Sequence, residues 1–282
     1  SNAHGQLGDG NPWYARENST GGAVINVQND GNAGIAAGTY HSCALTINGA
    51  VQCWGYNASG QLGNRTSNDR TYPSYVQGIS YGAKDISAGG NHTCVVTESN
   101  GVKCWGHGGN FQLGQLEPDS TNSYNVPVDV DGLDKGVASV SAGADHTCAL
   151  TTEGGIKCWG SNGNGRLGYG GVTDYAIPID VSGLESGVSV VSAGSRHTCA
   201  VTTAGGIKCW GSNSHGQLGD GTTIDRATPV DVSGLTSGVS TVSAGLNHTC
   251  AVTTAGRIKC WGSNTYGQLG NGSTSNTIAP VD

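Results

Sequence analysis

Apolar residues run along this chain in short stretches of four or five, and no stretch repeats with the roughly 3.6-residue period of a helix face. Residues 239–282 show the pattern well: Ser240-Thr241-Val242-Ser243, Thr249-Cys250-Ala251-Val252, Arg257-Ile258-Lys259-Cys260-Trp261 and Ile278-Ala279-Pro280-Val281. Each run is too short for a helix and is bounded by Gly, Asn, Ser or Thr, so each predicts a strand. Four antiparallel strands in one unit make a propeller blade, and the expected fold is all-β.

The unit repeats. His, then Ser or Thr, then Cys, is followed by Cys-Trp at His41/Cys43/Cys53/Trp54, His92/Cys94/Cys104/Trp105, His146/Cys148/Cys158/Trp159, His197/Cys199/Cys209/Trp210 and His248/Cys250/Cys260/Trp261. The first Cys of each unit recurs at intervals of 51, 54, 51 and 51 residues, a period typical of solenoids and propellers. Five complete blades are expected at 34–84, 85–136, 137–187, 188–238 and 239–282, with a partial one at 1–33, in a single domain over 1–282. The partial blade offers one candidate strand, Ala23 to Val27, and holds Trp13, the one Trp outside the Cys-Trp pairs. A closed six-bladed ring would lack three strands. A fragment of a longer repeat protein, a five-bladed ring with an extra strand, and an assembly completed by another chain all fit this count.

Composition suits sharp turns. Gly is 49 of 282 residues, Met is absent and only 12% of residues are charged. No apolar run approaches the roughly 18 to 20 residues that span a membrane. The chain opens inside a repeat with no leader pattern, and Ser1-Asn2-Ala3 is compatible with a cloning remnant or with a counterpart of Ser212-Asn213-Ser214.

All ten cysteines belong to the repeat. Folding one unit about Ala204 pairs Cys199 with Cys209, Ala200 with Lys208 and Val201 with Ile207, which sets the two sulfurs face to face. The same holds for Cys43-Cys53, Cys94-Cys104, Cys148-Cys158 and Cys250-Cys260, giving five expected hairpin disulfides. One His and two Cys per unit would fall short of the four ligands of a closed zinc site, and the spacing differs from paired C-x2-C knuckles. Neither metal nor cofactor is expected. Five disulfides point to an oxidising compartment, hence to a secreted or cell-surface protein.

A second motif links the third strand to the fourth: Gly60-Gln61-Leu62-Gly63, Phe111-Gln112-Leu113-Gly114, Gly165-Arg166-Leu167-Gly168, Gly216-Gln217-Leu218-Gly219 and Gly267-Gln268-Leu269-Gly270, with a sixth copy at Gly5 to Gly8. With the Ala-Gly before each His (Gly38, Gly89, Gly143, Gly194, Gly245), these residues resemble the repeat of the regulator of chromosome condensation family, over nearly the whole chain. The resemblance implies a β-propeller, usually seven-bladed, from which the cysteine pairs and the blade count depart. It is similar to secreted, disulfide-bearing bacterial variants, among them a β-lactamase inhibitory propeller, which implies protein binding. The family's nuclear activity on a small GTPase suits neither the compartment nor the charge.

Repeated His and Trp residues read as structural, with each Trp filling the space between blades. Variable residues on the constant frame are the candidates for recognition. Alternating strand direction places the turn before each His and the Gly-Gln-Leu-Gly loop at one end of the blade. There, Tyr40, Asn91, Asp145, Arg196 and Asn247 precede the histidines. Ser59, Asn110, Asn164, His215 and Tyr266 precede the second motif, in which Phe111 replaces a Gly.

Enzymatic motifs are missing: no P-loop, no Gly-x-Ser-x-Gly, no His-Glu-x-x-His. Asp129, Asp180, Asp231 and Asp282 share one repeat position and read as structural. With 13 Lys plus Arg against 20 Asp plus Glu, the net charge of −7 offers no attraction for phosphate, so nucleic acid is not an expected partner. The expected function is a non-catalytic extracellular module that binds a protein partner, or a second copy, through its loop face. The alternative is a surface-layer or filament subunit whose incomplete blade a neighbour completes. Glycan binding is a weaker reading. Asn18, Asn57, Asn64, Asn91, Asn247 and Asn271 begin Asn-x-Ser/Thr sequons, most of them attributable to chance in so Asn- and Thr-rich a chain.

Overall fold

The structure, a computed structural model, describes residues 2–8, 32–116 and 123–282. Twenty strands form five four-stranded antiparallel sheets, with neighbours following chain order. The first sheet holds β1 (Asn32–Ala37), β2 (His41–Thr46), β3 (Val51–Gly55) and β4 (Arg70–Tyr75). The second holds β5 (Asp85–Ala88), β6 (His92–Val96), β7 (Val102–His107) and β8 (Ser123–Asp129). The third comprises β9 (Val137–Ala142), β10 (His146–Thr151), β11 (Ile156–Gly160) and β12 (Tyr175–Asp180). β13 (Val188–Ala193), β14 (His197–Thr202), β15 (Ile207–Gly211) and β16 (Arg226–Asp231) make the fourth. β17 (Val239–Ala244), β18 (His248–Thr253), β19 (Ile258–Gly262) and β20 (Thr277–Val281) make the last, matching the four runs read from the sequence.

The chain divides into two compact units, Ser1–Ala142 and Gly143–Asp282. The candidate strand Ala23 to Val27, Trp13 and Asn18 lie outside the described residues.

The hairpin register is the one the cysteine spacing requires. Cys199 opposes Cys209, Ala200 opposes Lys208 and Val201 opposes Ile207. Disulfides join Cys43–Cys53, Cys94–Cys104, Cys148–Cys158, Cys199–Cys209 and Cys250–Cys260, each across Cα atoms 4.1 Å apart. Just past each second cysteine the pairing with the fourth strand slips, between Cys53 and Gly55 in the first sheet and at the same place in the other four. The glycine of every Trp-Gly makes this slip. Gly55 has φ of 105°, and a Cβ there would lie 2.6 Å from the carbonyl of Tyr40.

The core lies between successive sheets. In unit 1 the Cys43–Cys53 disulfide, Leu45, Val51, Leu62, Val76 and Ile79 pack against Ile86, Val95 and Trp105 of the next sheet. In unit 2 Cys199, Cys209, Val201, Ile207, Leu218 and Val232 pack the same way against Val242, Ala251 and Trp261. The five Trp of the Cys-Trp pairs are at most 2% exposed, which makes them core and rules them out as a sugar platform. Burying an indole stabilises by roughly 4 kcal/mol as an upper figure.

Polar groups lock the same seams. His41 donates from Nε2 to Thr93 Oγ1 at 2.9 Å, and Thr93 passes its own hydrogen to the Gln61 carbonyl at 2.9 Å. A hydroxyl has one hydrogen, so this order fixes His41 as the Nε2–H tautomer. Trp105 Nε1 donates to the same carbonyl at 2.9 Å. In unit 2 His146, Thr198, the Arg166 carbonyl and Trp210 repeat the arrangement, as do His197, Thr249, the Gln217 carbonyl and Trp261. Histidine here satisfies a neighbouring sheet, in line with the structural reading.

The Ala-Gly before each His is explained by space. A Cβ on Gly194 would stand 2.6 Å from the Gly245 carbonyl and 2.7 Å from His197 Cε1. Between the third and fourth strands Lys103–Asp129, Lys157–Asp180, Lys208–Asp231 and Lys259–Asp282 pair at 2.6 to 2.8 Å, which gives the repeated Asp its structural role. Such exposed pairs contribute at most about 1 kcal/mol each.

Candidate functional site

The first candidate series stands on backbone fixed in the same way in every repeat, and the second does so in the repeats whose motif keeps its Gln. The residue before each His offers its carbonyl to the N–H that follows Trp-Gly: Tyr56 to Tyr40 at 2.9 Å, His107 to Asn91 at 2.8 Å, Ser161 to Asp145 at 2.8 Å, Ser212 to Arg196 at 2.9 Å and Ser263 to Asn247 at 2.8 Å. The peptide is held while the side chain is left to vary.

The second series is held by the motif glutamine. Gln61 Oε1 accepts from the Ser59 N–H at 3.0 Å, Gln112 from Asn110, Gln217 from His215 and Gln268 from Tyr266, each at 2.9 Å. A buried asparagine closes the loop from behind. Asn213 Oδ1 accepts from Leu218 N–H, its Nδ2 donates to the carbonyls of Thr222 and Ile224, and its own N–H donates to Asp225. Asn57 and Asn162 do the same in their repeats, while Asn264 accepts from Leu269 N–H and donates from Nδ2 to the Ser273 carbonyl and Asn271 Oδ1 and from its N–H to Asn276. Gly108 takes this position in the second sheet, where Gln112 Nε2 meets His107 Nδ1 at 2.9 Å instead.

Asn57 therefore cannot carry a glycan. It is fully buried, and its Nδ2 is committed to the Thr66 and Asn68 carbonyls, so the sequon there is corrected to a loop clasp.

Two positions beside the candidate series, His4 and Arg166, were not singled out in the sequence. Leu7 N–H donates to Asn2 Oδ1 and His4 N–H to Gln6 Oε1, both at 2.9 Å, so residues 2–8 fold as one more loop of this kind. Asn2 takes the place of Asn213, and His4 joins the series of Ser59 and His215; the signal was its position before Gly5-Gln6-Leu7-Gly8. His4 Nδ1 lies 2.9 Å from Asp69 Oδ2, and its ring centroid is 5.6 Å from that of Tyr40 and 4.7 Å from that of Tyr56. Rings this close form a packed aromatic knob with no space for a ligand between them.

Arg166 is the second. It stands where the other copies of the motif have Gln, with Nη1 donating to the Ser195 carbonyl at 3.4 Å and Nη2 to Asn164 Oδ1 at 3.3 Å. Burial lowers its pKa from the ordinary guanidinium value, against the opposing pull of Asp145, and Arg196 lowers it further.

Of the candidates, Tyr40 is 46% exposed, Phe111 38% and Tyr266 92%. Arg196 is exposed, while Asn91, Asp145, His215 and Asn247 are half-buried. Phe111 has φ of 64° where its counterparts are glycines, a conformation that costs a bulky residue on the order of 1 kcal/mol. At the other end of the second sheet, an open cavity of about 530 Å³ is lined by Ile79, Tyr81, Glu98 and Lys103 among others. No group of three His, Cys, Asp or Glu suited to a metal occurs among the described residues, and no helix among them is long and apolar enough to cross a membrane.

A repeat built on Gly-Gln-Leu-Gly loops and His-to-Thr seams should be recognisable in other proteins, and the description "RCC1-like domain" matches residues 1–282. The chain belongs to the RCC1-like domain family. It is 32% identical over 252 residues to the Ultraviolet-B receptor UVR8 of Arabidopsis thaliana, covering 87% of this chain and 56% of that protein. It is 34% identical over 244 residues to the mitochondrial RCC1 domain-containing protein RUG3 of the same plant, covering 84% and 55%. Among solved structures, Prp20p of Saccharomyces cerevisiae superposes with a TM-score of 0.79 at 23% identity, covering 89% of this chain and 62% of that one. The chain spans about half the length of the curated relatives it matches. An RCC1-like propeller is thus the fold, as the motifs implied.

Proposed function

We propose that this RCC1-like chain is a non-catalytic module that binds a protein partner through the turns bearing Tyr40, Asn91, Asp145, Arg196 and Asn247 and the loops bearing Phe111, His215 and Tyr266. One observation carries the reading. The first series varies in side chain while its carbonyls accept the same hydrogen bond in every repeat, and the second varies while its N–H makes the same bond wherever the motif keeps its Gln. Exposed tyrosine, phenylalanine and arginine on a rigid frame are the residue types that dominate protein interfaces. The fold has this use elsewhere: Prp20p binds Gsp1p and histones, and its structure with Kap60 bound is known. Five disulfides favour an extracellular setting.

The test is capture of partners from the extracellular fraction of the source cells, by the chain and by a variant carrying Tyr40→Ala, Arg196→Glu and Tyr266→Ala. The variant keeps its circular dichroism and loses the partner, while Tyr81→Ala at the opposite end of its sheet retains it. Equal capture by all three proteins would sink the loop-face reading.

A further inference from the structure

The second sheet departs from the repeat at the end away from the candidate loops, within unit 1. In the fourth and fifth sheets a threonine ties a hairpin to the loop that leads into its own sheet. Thr203 donates from N–H and Oγ1 to the Gly187 carbonyl at 2.8 and 3.3 Å, and Thr254 does the same to the Gly238 carbonyl. Glu98 holds that position in the second sheet, and it makes no such bond to Gly82. The strand that follows the loop also starts differently: β13 and β17 open with a register shift, whereas β5 pairs Asp85 with Val96 and continues without one. Loop 78–83 and hairpin 97–101 are thus not tied together at this point, and the cavity of about 530 Å³ lies between them.

The lining has a consistent chemical character. Ile79 and Ala83 are buried and form an apolar floor, while Tyr81, 71% exposed, stands where other repeats have Lys135, Ser186 and Ser237. Glu98 is exposed, and its carboxylate makes no hydrogen bond or ion pair among the described residues. Its Oε2 leans on the loop, 3.1 Å from where a Cβ of Gly82 would be. Neighbouring lysines are engaged elsewhere. Lys103, which also lines the cavity, pairs with Asp129 at 2.6 Å, and Lys84 donates to Asn100 Oδ1 at 2.5 Å.

An aromatic ring beside an unpaired carboxylate, over an apolar floor, suits a cation carried on an apolar stem. The net charge of −7 adds to the attraction. We propose that this cavity binds an alkylammonium group, with its stem on Ile79 and Ala83 and its charge between Glu98 and the Tyr81 ring. A free amine and the lysine side chain of a peptide both carry this group.

Amide chemical-shift titration of the full chain tests this, with n-butylammonium and Nα-acetyl-lysine amide as probes and n-butanol as the neutral counterpart. Both ammonium compounds should shift residues 78–83 and 97–103, and added salt should weaken them. Tyr81→Ala and Glu98→Gln should each lower the affinity roughly five- to tenfold. Glu98→Thr restores the residue of the fourth and fifth sheets, so it should close the cavity and abolish binding. A tighter hold on the lysine amide marks a peptide as the source, and equal affinities mark a free amine. Absence of binding, shifts that spare these residues, n-butanol binding as well as n-butylammonium, or variants that bind as well as the native chain would each overturn the proposal. Should Tyr81→Ala disturb folding, Glu98→Gln decides alone, since that side chain holds nothing else in place.

Discussion

Trp105 donates its indole hydrogen to the carbonyl of Gln61, 44 residues earlier in the chain, at 2.9 Å. One carbonyl thereby joins a loop of one sheet to the strand of the next, with Thr93 as its second donor. Trp105→Phe keeps most of the buried ring and removes one donor, so it should cost about 1 to 2 kcal/mol in urea unfolding. Thr93→Val should cost about 1 to 3 kcal/mol, because it strands the His41 Nε2–H in a buried place. The double variant should lose more than either alone; a Thr93→Val protein as stable as the native one would refute the seam lock.

Acid should loosen the same seams. Burial lowers the pKa of His41 to about 4 and of His197 to about 3, the latter with a smaller push from His248; His92 also falls to about 3, through burial first and then His41 and His107. In the unfolded chain these rings take up a proton near the ordinary imidazole value of 6.5. Between 6.5 and about 4 the unfolded state therefore binds more protons, and stability rises with pH. Stability is complete above that window and falls as pH drops through it, by at most about 1.4 kcal/mol per pH unit for each ring. Urea midpoints that stay level from about pH 7.5 down to pH 5 would contradict this.

The disulfides make a third case. Alkylation of the native chain without reductant should add no mass, since all ten cysteines are paired. Replacing Cys199 and Cys209 with Ser opens one short loop and should cost roughly 2 to 3 kcal/mol, read from thermal unfolding without reductant. Ten alkyl adducts on untreated protein would remove the argument for an oxidising compartment.

Gly194 and Gly234 separate two reasons for glycine. Gly194→Ala drives a methyl against the Gly245 carbonyl and should cost about 2 to 3 kcal/mol. Gly234→Ala meets nothing within 4 Å and carries only the cost of φ at 71°, about 1 kcal/mol. Equal losses would show that crowding at the seam is not what keeps Gly194.

What could be read from the sequence depended on how local the physics was. Cys199 and Cys209 are close in sequence, so hairpin arithmetic alone set them opposite each other, and the strands around them followed. His41, Thr93 and Gln61 belong to different repeats, and no period tells which hydroxyl meets which ring until the sheets are stacked. Asn57 shows the reverse failure. Its sequon, one of six mostly attributable to chance, gave no sign that the amide is buried and clasps its loop. Arg166 was passed over because its effect depends on the Ser195 carbonyl, which lies in the next repeat and meets it only once the sheets are stacked.

Asn213 and Asn264 have a consequence for how such a chain can change. Each clasps its loop from a buried position, and between the clasp and the glycine that follows stand only Ser214-His215 and Thr265-Tyr266. Those two-residue windows can be rewritten without disturbing the wall behind them. A library randomised at 214–215 and 265–266 should therefore keep the fold of the native chain while changing the side chains its loops present.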